Sequence, residues 1–167
     1  VRPLGIDFHL RGEEDGNGIG LKVWSCSRPI PLSERVPVLE NMGFRVVDER
    51  THHILPKDGV EAGSWFHDML LERADGAAGD IQEAKHRLEA LFLMVMRGMA
   101  ENDGYNALVL AAGLMWRDVA LIRAISRFLR QIRIAFSQDY MWAARRKHAG
   151  IAENIVDLFP IRFCPRR

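Results

Sequence analysis

The sequence predicts an α+β fold, in which one layer of helices covers a mainly antiparallel sheet and a mainly helical region follows. Three observations support this prediction. Apolar and polar residues alternate in the first part of the chain, as in half-buried strands. A run of small residues at 74–80 interrupts the alternation, and beyond it apolar residues recur at helical spacing. With 167 residues, 48% of them hydrophobic, the chain can bury a sizeable core.

The first two strands are predicted to form a hairpin. Ile6, Phe8 and Leu10 alternate with polar residues, and the alternation resumes at Ile19 after a turn-rich stretch. The glycines at 16, 18 and 20 superficially suggest a phosphate-binding loop. Such a loop needs a helix after it, whereas the next residues have a strand pattern, so a hairpin turn is the favoured interpretation.

A helix and two further strands are expected next. The helix should open at Ser33, carry Pro37 near its first turn and end before Gly43, which tolerates a left-handed conformation. Its predicted buried face consists of Val36, Leu39 and Met42. The strands should cover residues 44–47 and 64–72. The order strand, strand, helix, strand, strand is typical of a small ferredoxin-like sandwich.

The second part of the chain is predicted to be helical. The expected helical segments are 80–97 with Asp80 as cap, 105–112 capped from the turn at 102–104, 116–132, a short one capped by Ser137, and 151–158. We therefore predict two domains, a sandwich at about 1–76 and a helical domain at about 80–163. Each should have its own hydrophobic core, and a single intermixed core would contradict this organisation.

The predicted helix 116–132 carries a stripe of arginines. At 100° per residue, Leu121, Ile125, Phe128 and Ile132 fall within about 60°. The arginines at 123, 127 and 130 lie opposite and should face away from the core. The charge is uneven, since residues 1–100 carry 12 basic and 16 acidic side chains and the rest carry 11 and 6. Arg123, Arg127 and Arg130 are therefore candidate partner-contact residues. A contact with a neighbouring domain or a simply solvated face is favoured over a nucleic-acid partner.

No pattern of catalytic, cofactor-binding or metal-binding residues is recognisable in the sequence. The six histidines are scattered, and the neighbours His52 and His53 should point to opposite faces of a strand. Cys26 and Cys164 are far apart, which excludes a disulfide framework and favours a reducing, cytoplasmic setting. No signal peptide or membrane span is expected. We expect no catalytic, cofactor or metal site in this chain.

Two long phrases resemble the bacterial large NAD-specific glutamate dehydrogenases. The first is RPIPLSERVPVLENMGFRVVDER at 28–50. The second is AENDGYNALVLAAGL at 100–114, continued by WRDVALIRA at 116–124. Shorter matches follow at 128–131, 136–138 and 158–163. The resemblance covers most of the chain. One departure is Met115, which cannot supply the side-chain oxygen of a capping box with Asp118, so a looser helix start is expected.

The resemblance implies an ACT-like regulatory domain and helical motifs upstream of a catalytic domain. The family's reaction converts L-glutamate, NAD and water to 2-oxoglutarate, ammonium and NADH. It implies that NAD binds elsewhere in the full-length parent and not to this fragment. The fragment's role would then be structural and regulatory. The implied partners are the remaining domains of the same polypeptide, further copies in a homo-oligomer and an amino-acid effector, without nucleic acid or membrane. The alternatives are a helical module that binds nucleic acid or an acidic protein, and an enzyme in its own right.

Overall fold

The structure, a computed structural model, describes residues 4–12, 18–26, 28–56, 63–77, 81–132 and 148–164. The described strands are β1 (Leu4–Leu10), β2 (Ile19–Cys26), β3 (Phe44–Ile54) and β4 (Ser64–Arg73), which form one antiparallel sheet of order β1-β2-β4-β3. The described helices are α1 (Leu32–Asn41), α2 (Lys85–Met96), α3 (Leu108–Ala111), α4 (Trp116–Gln131) and α5 (Ala149–Phe163). A 3₁₀ turn, Gly104–Ala107, leads directly into α3. The predicted α+β class is confirmed.

The predicted hairpin of β1 and β2 is present. The two strands pair antiparallel, with Phe8 opposite Leu21 and Leu10 opposite Ile19. The glycine-rich stretch is therefore followed by a strand, as expected, with Gly20 already part of β2. Residues 13–17 of the turn lie outside the described part of the chain. One face of the sheet is buried, through alternate residues of β4, through much of β2 and through one residue each of β1 and β3. The largest of its fully buried side chains are Phe8, Leu21, Phe44, Met69 and Leu71.

Helix α1 packs over β3 and continues into a tight connection to it. Leu39 and Met42 are fully buried, as predicted, and Gly43 has the left-handed φ of 95° that its position at the helix end requires. Two details differ. Val38 and Arg35 are buried in place of Val36. Pro37 lies inside the helix, where it removes a backbone donor from an intrahelical hydrogen bond.

Helix α2 covers the free edge of β1. The backbone N–H of Phe8 donates to the Glu89 carboxylate at 3.1 Å, and Lys85 Nζ lies 2.6 Å from Asp7 Oδ1. The backbone N–H of Phe8, on the side of β1 away from β2, is thus occupied. This prevents the edge from pairing with another strand at this point. The helix begins at Lys85, later than expected, and the predicted cap Asp80 lies outside the described residues.

The expectation of two separate hydrophobic cores is wrong. Buried residues of the sheet, of α1 and α2 and of the later helices form one continuous cluster. Its members from α2 are Leu88, Leu91, Phe92 and Val95. The physical reason is the position of α2, which contacts β1 and α1 as well as α3 and α4. The domain boundary at 76–80 stays a prediction.

The helical region begins at a capped turn. Asp103 Oδ1 accepts from the N–H of Tyr105 at 3.1 Å, as the predicted cap requires, and Tyr105 is buried. Helix α4 matches its predicted bounds within one residue, whereas α5 is longer than expected. The predicted short helix after Ser137 lies outside the described residues. Within the described ranges, no helix is both long and apolar enough to cross a bilayer.

Candidate contact surface on the helical region

The predicted orientation of α4 is wrong. Its buried side consists of Val119, Ile122, Arg123 and Ser126. Phe128 and Ile132, assigned to the buried stripe from the sequence, are 59% and 55% exposed. Arg123, Arg127 and Arg130 were predicted to lie on the solvent side because they fall opposite the apolar stripe of the helix. Charged side chains are also rarely buried without a partner. Arg123 is 4% exposed because the chain supplies that partner.

Arg123 is held by the turn that precedes α3. Its Nε donates to Asp103 Oδ2 at 2.6 Å and its Nη2 to Asp103 Oδ1 at 2.9 Å. The same Nη2 donates to the buried Asn106 Oδ1 at 3.0 Å, and the guanidinium lies 5.9 Å from the centre of the Tyr105 ring. This bidentate pairing of Arg123 with Asp103 fixes α4 against the turn at 103–106. Arg123 therefore has a structural contact within the chain, and its predicted solvent-facing position is corrected.

Arg127 and Arg130 lie on the exposed side of α4. Arg127 Nη1 donates to Glu101 Oε1 at 2.9 Å, its Nη2 donates to the other oxygen, and both side chains are about half exposed. The hydrogen bonds that Arg127 donates to Glu101 raise the pKa of Arg127. Pairing with Glu101 reduces the positive field that Arg127 offers to an anionic partner. Partner contact through Arg127 and Arg130 stays a prediction.

An open cleft of about 390 Å³ lies on this outer side. It is lined by Glu101, Ala120, Arg123, Ala124, Arg127, Phe128 and Gln131. The two alanines leave room above the helix backbone, Phe128 supplies an exposed apolar wall, and the carboxylate and guanidinium groups are paired. Such a cleft can bind an apolar side chain of a partner, with its own paired charged groups forming a polar rim around that side chain.

The second half of α5 is exposed, whereas part of its first half packs against the core. Ala152 is fully buried, and Ile155 and Val156 are partly buried against the core. From 157 onward every side chain of the helix is exposed. We call residues 157–163 the α5 tip. Its large apolar side chains are Leu158, Phe159, Ile161 and Phe163. The sequence pattern predicted a helix that ends at 158, so the α5 tip was not expected.

A buried polar cluster lies where α1 crosses β3 and β4. The Arg35 Nη2 donates to Glu49 Oε1 at 2.6 Å, and the fully buried His67 accepts from the N–H of Ile30 through Nε2 at 3.2 Å. His67 Nδ1 lies 2.8 Å from Thr51 Oγ1. Burial, followed by the charge of Arg35, lowers the pKa of His67. Burial likewise lowers the pKa of Arg35. A ring nitrogen that accepts a backbone hydrogen bond carries no proton, so His67 is neutral here. The hydrogen bonds from Arg35 to Glu49 and from Ile30 to His67 hold α1 and the residues before it on the sheet.

The other histidines and the cysteines lie apart. His53 stacks on Trp65, with ring centres 4.1 Å apart, on the face of β3 opposite to His52. That divergence was predicted. Among the described residues, no group of three histidine, cysteine, aspartate or glutamate side chains is placed to hold a metal ion. Cys26 and Cys164 are free and exposed.

Comparison with known proteins gives two family matches along the chain. Residues 3–84 match the sequence model described as glutamate dehydrogenase, ACT3 domain. Residues 100–165 match the one described as glutamate dehydrogenase, helical motif 3. The first match covers the sheet and α1, and the second covers α3 to α5. The order of a sheet-based part before a helical part agrees with the fold described above.

Curated relatives carry the name NAD-specific glutamate dehydrogenase. The protein of Halomonas elongata is 38% identical over 163 residues, which are 98% of this chain and 10% of the relative. The protein of Pseudomonas aeruginosa is 39% identical over 97% of this chain, and that of Mycobacterium tuberculosis 30% identical over 92%, again with 10% of each relative covered. The chain thus spans about a tenth of the length of these relatives. Its two family matches and these alignments together show that the chain belongs to the NAD-specific glutamate dehydrogenase family.

Proposed function

We propose that this chain is a structural and regulatory segment of an NAD-dependent glutamate dehydrogenase, which makes contacts with other domains or subunits. The full-length protein would convert L-glutamate, NAD and water to 2-oxoglutarate, ammonium and NADH. NAD would bind outside residues 1–167. A homo-oligomer, an amino-acid effector and a cytoplasmic location belong to the same proposal.

The observation that carries the proposal is the exposed apolar surface of the helical region. Phe128 and Ile132 of α4 and the α5 tip leave large apolar side chains in solvent. Large apolar side chains that are grouped on the surface, as at the α5 tip, are typical of interfaces. The family alignments cover the same residues, so these side chains belong to the segment shared with the much longer relatives.

The catalytic part of the proposal is tested by comparing two proteins. The full-length polypeptide that carries this sequence should form NADH from glutamate and NAD, measured by absorbance. Residues 1–167 alone should form none. NADH formation by residues 1–167 would instead support the alternative that this chain is an enzyme in its own right.

The contact part of the proposal is tested in the full-length protein with Phe128→Ser. Leu55→Ser serves as the control, because Leu55 is 68% exposed and lies far along the chain at the end of β3. We expect Phe128→Ser to lower the assembled mass seen by light scattering or to shift the glutamate saturation curve, and Leu55→Ser to do neither. Unchanged mass and kinetics in Phe128→Ser would reject a contact at this site.

The alternative of a nucleic-acid or acidic protein partner has less support. It needs Arg123, Arg127 and Arg130 on one accessible face, yet Arg123 is buried and Arg127 is paired with Glu101. A phosphate-binding face loses affinity steeply as salt rises. Steep salt-dependent binding of generic RNA would therefore favour the alternative.

A further inference from the structure

We propose that the α5 tip inserts into a groove formed by another part of the same full-length polypeptide, outside residues 1–167. The inference rests on the proposed function and deepens it by naming the contact element and the kind of surface that receives it. The receiving surface would be concave and apolar.

The exposure of the α5 tip is the first argument. Leu158, Ile161 and Phe163 are 62%, 80% and 66% exposed, and the rings of Phe159 and Phe163 pack against each other at 4.9 Å. Its only ionisable side chains are those of Asp157 and Arg162. A helical segment with this composition is unfavourable in water and is normally covered by protein.

The position of the tip is the second argument. The first half of α5 is fixed to the body, because Ala152 is fully buried and Ile155 and Val156 pack against the core beside α3 and α4. The second half continues the same helix beyond these contacts. The tip is therefore held at a defined place and points away from the described core.

The distribution of apolar side chains favours an enclosing partner over a second copy. At 100° per residue, Ile161, Leu158, Phe159 and Phe163 span about 200° of the helix circumference. A pair of helices related by two-fold symmetry covers a stripe of roughly 100° on each helix and would leave the rest exposed. A groove in a larger body covers both sides. The relatives offer such a body, since the aligned 163 residues are only 10% of their length.

The test is hydrogen exchange by mass spectrometry on the full-length protein, wild type and Leu158→Ser. We expect the amides of 157–163 to be protected in the wild type. Burial of a leucine side chain corresponds to about a tenfold or larger change in a docking equilibrium, so exchange in Leu158→Ser should be about tenfold faster. A segment outside residues 1–167 should lose protection at the same time, which identifies the groove.

Two further variants make the result decisive. Leu55→Ser is the matched control and should leave exchange at the tip unchanged. Ile161→Ser should reproduce the effect of Leu158→Ser, which guards against a folding defect specific to one variant. The proposal is overturned if the tip exchanges rapidly in the wild type or if no segment outside 1–167 responds. It is also overturned if protection depends on protein concentration, which would assign the contact to a second copy.

The glutamate assay on the same wild-type protein separates this inference from the proposed function. Absence of NADH formation would reject the proposed activity even where the tip is protected. NADH formation with an unprotected tip would reject the docking inference alone.

Discussion

Arg123 and Arg127, two of the three α4 arginines that were predicted to face solvent, have different environments. Arg123 has a side chain 5% exposed and is paired with Asp103, which is 12% exposed, whereas Arg127 and Glu101 are each about half exposed. An ion pair in water contributes little to stability, while removal of one member of a buried pair leaves an uncompensated charge. Two arginines on adjacent turns of one helix therefore contribute unequally to stability, with the larger contribution from Arg123.

We expect Arg123→Met to destabilise the chain by about 3 kcal/mol, because Asp103 and Asn106 lose their donor. Arg127→Met should change stability far less, because its ion pair with Glu101 is exposed to solvent, and it serves as the matched control. Urea denaturation with an unchanged m-value measures both. Equal midpoints for the two variants would contradict the structural assignment of Arg123.

His67 should make stability depend on pH. Its pKa is lowered in the folded state by burial and by Arg35, with Glu49 opposing the shift. The unfolded state therefore binds more protons just below the ordinary histidine pKa of about 6.5. Stability should be fully present above that pH and fall as the pH decreases toward the lowered folded value, by at most about 1.4 kcal/mol per pH unit from this group.

The control for this effect is His86, which has a side chain 93% exposed. His86→Gln should keep the pH dependence of the urea midpoint between pH 5 and 7, and His67→Gln should flatten it. Retention of the full pH dependence in His67→Gln would show that the effect comes from another group.

At the level of elements, helix ends and strand edges are held by specific side chains. Asp118 Oδ2 accepts from the N–H of Met115 at 3.1 Å, so the half of a capping box that depends on Asp118 forms, and the looser start predicted for α4 is corrected to that extent. Glu89 closes the β1 edge in a comparable way, since a carboxylate accepts an unpaired backbone N–H. At each of these two elements, one carboxylate therefore accepts one backbone N–H that would otherwise lack a partner within the element.

Glu89→Ala should loosen β1. The N–H of Phe8 then lacks an acceptor, a loss of about 1–3 kcal/mol if the group stays dry. Hydrogen exchange of the Phe8 amide should accelerate in Glu89→Ala. Glu89→Gln keeps a carbonyl acceptor and should show a smaller change. Identical exchange in Glu89→Ala and the wild type would mean that the edge is closed by other contacts.

Much of the element order followed from the sequence, and each of the two errors in the helical region has a physical cause. The hairpin, Gly43 and the Asp103 cap were predicted because their local chemistry determines their structure. The orientation of α4 was not, because burial of Arg123 depends on an acceptor 20 residues away. The extent of the α5 tip was also missed, since its apolar residues lack the one-sided pattern on which helix prediction relies.

At the level of the whole molecule, one core joins the two parts that match different family descriptions. Helix α2 lies between the two matched segments, 3–84 and 100–165, yet its apolar face contributes to the cluster shared by both. A core that extends across a predicted domain boundary makes the two parts depend on each other for stability.

We expect a single cooperative unfolding transition for residues 1–167. The tryptophan fluorescence of a variant with Trp116→Phe and Trp142→Phe, which keeps Trp24 and Trp65 of the sheet, should change together with helical circular dichroism. Phe92→Ala should lower stability by about 3–5 kcal/mol in both signals, because Phe92 is fully buried on α2. Val47→Ala, at a side chain that is 49% exposed, is the control. Loss of the helical signal alone would restore two independent cores.

The closed β1 edge limits how far strands from different molecules could stack. Glu89 already occupies the outward donor of Phe8, whereas β3, the opposite edge, pairs only with β4 among the described strands. A strand approaching β1 would meet this occupied donor at Phe8, whereas one approaching β3 would not. Pairing at β3 is therefore favoured over pairing at β1, which disfavours growth of the sheet from both edges.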